Sequence, residues 1–232
     1  MARLQKAAEP DRNGPSASAE QTRAALVQAA LRLFGEHGYA GTSTRDIAAA
    51  AKANIGSIAY HFGGKEGLRA ACAEHIVGAI GALAAQAMAS DVEPVQMDAA
   101  TAERHLERIL ERMVTFIVAS REAGEIVQFV LRELAQPTAA LDIIYNGVFL
   151  PMHKRLCGIW AAATGEPAES AGTKLAVFTL IGQVVYFRIG RLAVLRRMGW
   201  PEIGAAEASQ LVDVTKANLH GILKSRRKGE AA

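Results

Sequence analysis

Residues Thr42–Leu68 read TSTRDIAAAAKANIGSIAYHFGGKEGL, with Gly41 just before them. A short helix, a tight break and a second short helix are written there in order. Ser43 or Thr44 caps the first helix, and Asp46 sits in its first turn, at the dipole end that favours negative charge. Ile47, Ala48 and Ala51 give it a narrow inner face. Lys52-Ala53-Asn54 is the break. Asn54 is a good N-cap for a helix predicted over Ile55–Phe62, which Gly63-Gly64 stops. Ile58 and Phe62 lie four residues apart and anchor this helix from inside. Helical steps of about 100° then leave Gly56, Ser57, Tyr60 and His61 on the remaining surface.

Small and hydrogen-bonding side chains on one face of a short helix suit entry into a DNA major groove. Gly56 lets the backbone approach closely. Ser57 can bond a base edge or a phosphate. Tyr60 offers a hydroxyl to phosphate and a ring to a thymine methyl, and His61 can donate to phosphate. Thr44 and Arg45 open the preceding helix, placed for backbone contacts. Lys65 adds its charge to a helix N-terminus that already favours anions. Taken singly, each is an ordinary surface residue. Their clustering after a capped break is the signal.

The rest of the chain predicts an all-α protein. Residues 1–18 mix charges, prolines and small residues and read as a mobile tail, whose Arg3, Lys6 and Arg12 either are idle, the simpler reading, or touch DNA phosphates or a minor groove. Leu26, Ala29, Ala30, Leu33 and Phe34 form one apolar stripe on a helix predicted over Glu20–His37. A long helix starts near Lys65, and Ala89–Ala100 reads as a loop. Further helices are expected around Leu106–Ile117, over Gly124–Ala135, over Thr138–Thr164 with a kink at Pro151, over Pro167–Met198 and over Glu202–Ser225. The organisation expected is a tail at 1–18, a three-helix DNA-binding domain with a helix-turn-helix at 19–66, and a larger helical effector-binding and dimerisation domain at 67–232.

The helix from Glu20, Gly38-Tyr39 and the run through Leu68, roughly residues 20–68, resemble the DNA-binding domain of TetR-family transcriptional repressors. Thr42-Ser43, Ile47-Ala48, Tyr60-His61-Phe62, Lys65 and Leu68 match that family's pattern. Lys52 departs from it, standing where the family has a turn Gly. It implies either a turn that needs no left-handed residue or a Lys tolerated there. Ala59 departs too, replacing a common Tyr. Further on, Arg132-Glu133, Pro137-Thr138-Ala139-Ala140, Pro151-x-His153, Gly182-Gln183 and Phe187-Arg188-x-Gly190 through Gly199-Trp200 look like the CecR branch of the family. The resemblance implies a homodimeric, ligand-responsive repressor. It would bind a palindromic double-stranded DNA operator and be released by a small-molecule effector.

Composition constrains this reading without carrying it. The 232 residues hold 26 Lys and Arg against 23 Asp and Glu, a net charge of +3. The first 66 hold eight basic against six acidic residues, so a DNA claim must rest on the local motif. Cys72 and Cys157 are the only cysteines and form no CxxC pair, which suits a reducing, cytoplasmic setting. Leu175–Phe187 is too short to span a bilayer and reads as a buried helix. None of the six His belongs to HExxH, and no phosphate loop, GxGxxG or GxSxG occurs. No catalytic residue, metal or cofactor is therefore assigned. Polar residues set in the apolar helices, namely Arg132, Glu133, Tyr145, His153, Gln183, Tyr186 and Arg188, are the candidates to orient an effector. Each also reads as a structural pair or a satisfied core group. Dimerisation is expected through the last two helices, packed as a four-helix bundle. The alternative is a helical ligand carrier or enzyme whose N-terminal module only docks.

Overall fold

A computed structural model describes residues 15–87 and 94–227, and among them every regular element is helical. Two compact units divide after Cys72, inside the fourth helix rather than at residue 66.

The first unit holds α1 (Pro15–His37), α2 (Thr44–Ala50), α3 (Gly56–Phe62) and the start of α4 (Lys65–Ala87). Helix α1 begins at Pro15, five residues before the predicted start. Proline suits a first helical turn, where its missing N–H costs no bond. Residues 1–14 of the expected tail lie outside the described residues. Leu26, Leu31 and Phe34 of α1 pack with Ile47, Ile58, Leu68 and Cys72, all buried, in one small core. Burial pushes the Cys72 thiol up to about 12, so it serves as an apolar group. Buried Thr42 closes α1 by donating to the carbonyls of Gly38 (2.8 Å) and Leu33 (3.1 Å).

The second unit holds α5 (Ala99–Met113), α6 (Arg121–Ala135), α7 (Ala139–Ile144), α8 (Leu150–Thr164), α9 (Ala171–Ile189), α10 (Arg191–Met198) and α11 (Ala205–Arg226). Its core gathers Leu106, Leu110, Val114, Ile159, Trp160, Val177, Val184 and Leu219. The Trp160 indole donates to Glu166 (3.0 Å), which also holds Arg226. Burial raises the Glu166 pKa, but the bonds from Trp160, Arg226 and Thr173 outweigh it, and the carboxyl stays below its ordinary range.

Three elements depart from the helices that the sequence pattern predicts. The helix after Leu106 widens into a π-helix at Val114–Ala119. The single helix over Thr138–Thr164 is α7 and α8 joined by a π-helix at Tyr145–Phe149, and Pro151 falls in the first turn of α8. The helix over Pro167–Met198 starts at Ala171 and breaks at Gly190, where α9 and α10 are bent by 74°. No single described helix is long and apolar enough to cross a membrane. Nor is Leu175–Phe187 wholly buried. Ala176, Val177, Leu180 and Val184 face the core, while Leu175 (64%) and Phe178 (59%) are exposed.

Candidate DNA-binding surface and effector domain

Helix α2 is fixed by a reciprocal cap. Ser43 Oγ accepts from the Asp46 N–H (3.1 Å), and Asp46 Oδ2 accepts from the Ser43 N–H (3.1 Å) and hydroxyl (2.6 Å). The hydroxyl and then the backbone bond hold the Asp46 carboxyl below the usual range. The cap leaves Thr44 half-buried and Arg45 exposed at the start of the helix.

The turn between α2 and α3 puts Lys52 in the left-handed region, at φ 53°. The second of the two sequence readings therefore holds: a Lys occupies the conformation for which the family uses Gly. Asn54 Oδ1 then accepts from the Gly56 N–H (2.8 Å), closing the start of α3. In α3, Ile58 is buried and Phe62 half-buried, while Gly56, Ala59 and Tyr60 are exposed. Ser57 and His61 flank them, half-buried. Tyr60 is 83% exposed. Its ring meets His61 edge-on at 4.9 Å, and His61 lies 5.9 Å from Phe62. The Arg23 guanidinium of α1 lies 5.4 Å from the Phe62 ring centroid.

Lys65 is partly engaged inside the unit. Its Nζ donates to the Tyr39 carbonyl and lies 4.1 Å from the centre of the Tyr39 ring, which Arg69 also covers at 4.5 Å. Gly67 makes the joint between α3 and α4 possible, since a β-carbon there would lie 1.9 Å from the Phe62 carbonyl oxygen.

In the second unit a small apolar cavity lies between α5, α8 and α9. Leu106, Ile109, Met113, Leu156, Val177 and Leu180 are among its walls, and it has roughly the room of one water. The seven candidate effector residues are not brought together at its walls. Glu133 is buried and accepts from Thr138 Oγ1 (2.6 Å). Arg132 is exposed on the same helix, and Tyr145 is half exposed in the second π-helix. His153 Nε2 is 3.2 Å from the Lys174 carbonyl, and its ring packs 4.1 Å from Phe178. Gln183 accepts from Asn218 of α11 (3.1 Å). Tyr186 is exposed on α9, and Arg188 donates to the Val118 and Ser120 carbonyls. The cavity walls were missed in sequence because apolar residues at helical spacing read only as core. Glu103, Glu107 and His220 bring ligand-type atoms within 4.8 Å of one another, but Glu107 already bonds His220 and Glu103 already pairs with Arg227.

Residues 102–225 match the C-terminal domain of the HTH-type transcriptional dual regulator CecR, over half of the chain, and residues 26–72 match the bacterial regulatory proteins of the tetR family. The chain belongs to the TetR family. The CecR protein of Shigella flexneri is 35% identical over 200 residues, covering 84% of this chain and 88% of the relative. An HTH-type transcriptional repressor of Mycobacterium tuberculosis is 46% identical over 66 residues, 28% of this chain and 35% of the relative. In fold, the chain is similar to AibR in complex with isovaleryl coenzyme A and operator DNA, with a TM-score of 0.64 at 16% identity, covering 85% of this chain and 97% of AibR. It is also similar to a TetR-like regulator from Rhodococcus sp. RHA1, with a TM-score of 0.61 at 21% identity, covering 90% and 99%. This TetR-family protein is thus a DNA-binding transcriptional regulator with an N-terminal helix-turn-helix and a helical C-terminal domain.

Proposed function

We propose that the protein is a cytoplasmic homodimeric repressor that reads a palindromic operator and leaves it when a small molecule occupies the C-terminal unit. The observation that carries the DNA half is Tyr60, 83% exposed on a short helix whose other side is locked by Ile58. Gly56, Ser57, Tyr60 and His61 face the groove. Thr44, Arg45 and Lys65 meet the phosphates beside it.

The second copy covers α9 and α11. Leu175, Phe178, Gly182, Tyr186 and Ile189 all lie on the exposed side of α9, at steps of three and four residues. Val214 and Gly221 are exposed on α11, which α9 meets through Gln183 and Asn218. An apolar stripe of this length at near-heptad spacing is what a four-helix dimer buries. Two recognition helices about 34–36 Å apart then address successive turns of the duplex.

An apolar part of the effector enters between α5, α8 and α9, widening a cavity that is nearly closed here. Release follows only if the effector binds the widened state more tightly than the closed one. AibR, solved with both isovaleryl coenzyme A and operator DNA, supports a small-molecule effector on this fold.

A mobility-shift titration with the DNA upstream of the chain's own gene, in excess competitor DNA, tests the reading. A discrete shifted band is expected, and mass spectrometry of the purified protein should find a co-purified small molecule. A protein that retards no specific duplex overturns it.

A further inference from the structure

Arg23 lies on α1, outside the helix-turn-helix itself, yet its guanidinium adjoins Phe62 at the end of α3. Its guanidinium covers the Phe62 ring at 5.4 Å, and Phe62, His61 and Tyr60 follow one another along α3 at 5.9 and 4.9 Å. The four side chains make one continuous band from α1 across the end of α3. Several other cations of this unit are engaged, whereas Arg45 and Lys52 are exposed as Arg23 is. Arg32 is 3.9 Å from Glu36, and Lys65 and Arg69 share the Tyr39 ring. Arg23 is exposed and makes no ion pair with a carboxylate among the described residues.

An exposed guanidinium lying over a ring keeps N–H donors free. Those donors form a planar fork that matches a phosphate oxygen pair. The ring beneath also limits the rotamers that contact would otherwise have to freeze. Phosphate contacts sit at the flanks of a groove-inserted helix and fix its register.

We propose that Arg23, lying over Phe62, binds a phosphodiester of the operator backbone beside the end of α3. This rests on the DNA-binding reading of α3. It adds a residue from α1 to the surface, and it assigns that residue backbone positioning and no base readout.

The test uses the full chain and a fluorescent operator duplex. Affinity is followed against salt for the wild type, Arg23→Gln, Arg23→Lys, Arg32→Ala and Tyr60→Ala. Gln keeps a planar group over Phe62 without the charge. Arg23→Gln should weaken binding roughly tenfold, to specific and non-specific duplex alike, and reduce the slope of log K against log salt by about 0.9 for each phosphate lost. Arg23→Lys should keep most of the slope, and Arg32→Ala should match the wild type. A merely structural Arg23 changes thermal stability but leaves the salt slope unmoved. An unchanged slope in Arg23→Gln, with binding still lost in Tyr60→Ala, overturns this proposal and spares the DNA-binding reading. No wild-type binding at all overturns both.

Discussion

Arg188 Nη2 lies 1.6 Å from the point a β-carbon on Gly124 would occupy. The bare backbone of α6 is thus the seat of a guanidinium whose Nη1 donates to the carbonyls of Val118 (3.4 Å) and Ser120 (3.1 Å). Arg191 reaches the same Val118 carbonyl (3.2 Å) from beyond the Gly190 break. Two arginines therefore tie the bend between α9 and α10 to the end of the first π-helix. Burial, and then the neighbouring Arg191, lower the Arg188 pKa without discharging it.

Gly124→Ala should displace that guanidinium and cost about 1–2 kcal/mol, the worth of charge-assisted bonds. In an Arg188→Met background the same change meets no guanidinium, and Ala is the better helix former. Urea unfolding of the four proteins checks this. A coupling of more than about 0.5 kcal/mol is expected, and simple additivity counts against the seat.

Lys52→Gly should raise thermal stability. A non-glycine residue at φ 53° is strained by about 1 kcal/mol, more than the extra chain entropy of Gly offsets. Calorimetry should show a higher Tm by a few degrees. A lower Tm would mean that the Lys52 side chain is itself a stabilising contact.

His105 is 5% exposed, and its Nε2 lies 2.9 Å from Arg108 Nη2. Burial first, then the charges of Arg108, Arg155 and Arg104, lower its pKa below the ordinary 6.5. A depressed histidine contributes stability that is complete above about pH 6.5 and lost as pH falls through the folded-state pKa. The Tm should therefore drop between neutral pH and about pH 5, and His105→Leu should flatten that part of the profile. An identical acid slope in the variant contradicts the assignment.

Ile189→Asp and Leu175→Asp place charge on the exposed side of α9, where 54% and 64% of each residue faces solvent in one chain. Neither should unfold the subunit. Sedimentation should show a dimer for the wild type and a monomer for the variants, with helical circular dichroism retained. Monomeric wild type at micromolar concentration would remove the proposed interface.

The DNA-binding unit was legible because its determinants are local. Ser43 and Asp46 are three residues apart and cap each other, and Ile58 and Tyr60 fall on opposite sides by helical angle alone. Lys65 was legible as a charge but not as a partner of Tyr39, which lies far back in the chain. The C-terminal unit was less readable. Over a single turn, the apolar run Val114–Ala119 fits a π-helix as well as an α-helix. The break at Gly190 is held by Arg188 and Arg191 reaching residues about seventy positions earlier. Leu175–Phe187 reads as buried all round, yet Leu175, Phe178 and Tyr186 are exposed in the single chain.

In the proposed complex α3 lies against base pairs. Anisotropy titration of the upstream duplex with wild type and Tyr60→Ala, alongside their melting curves, tests it most directly. Removal of an exposed ring should leave Tm nearly unchanged while operator affinity falls by at least about tenfold, roughly 1.4 kcal/mol. Equal affinity of the two proteins for that duplex, at equal stability, would contradict it.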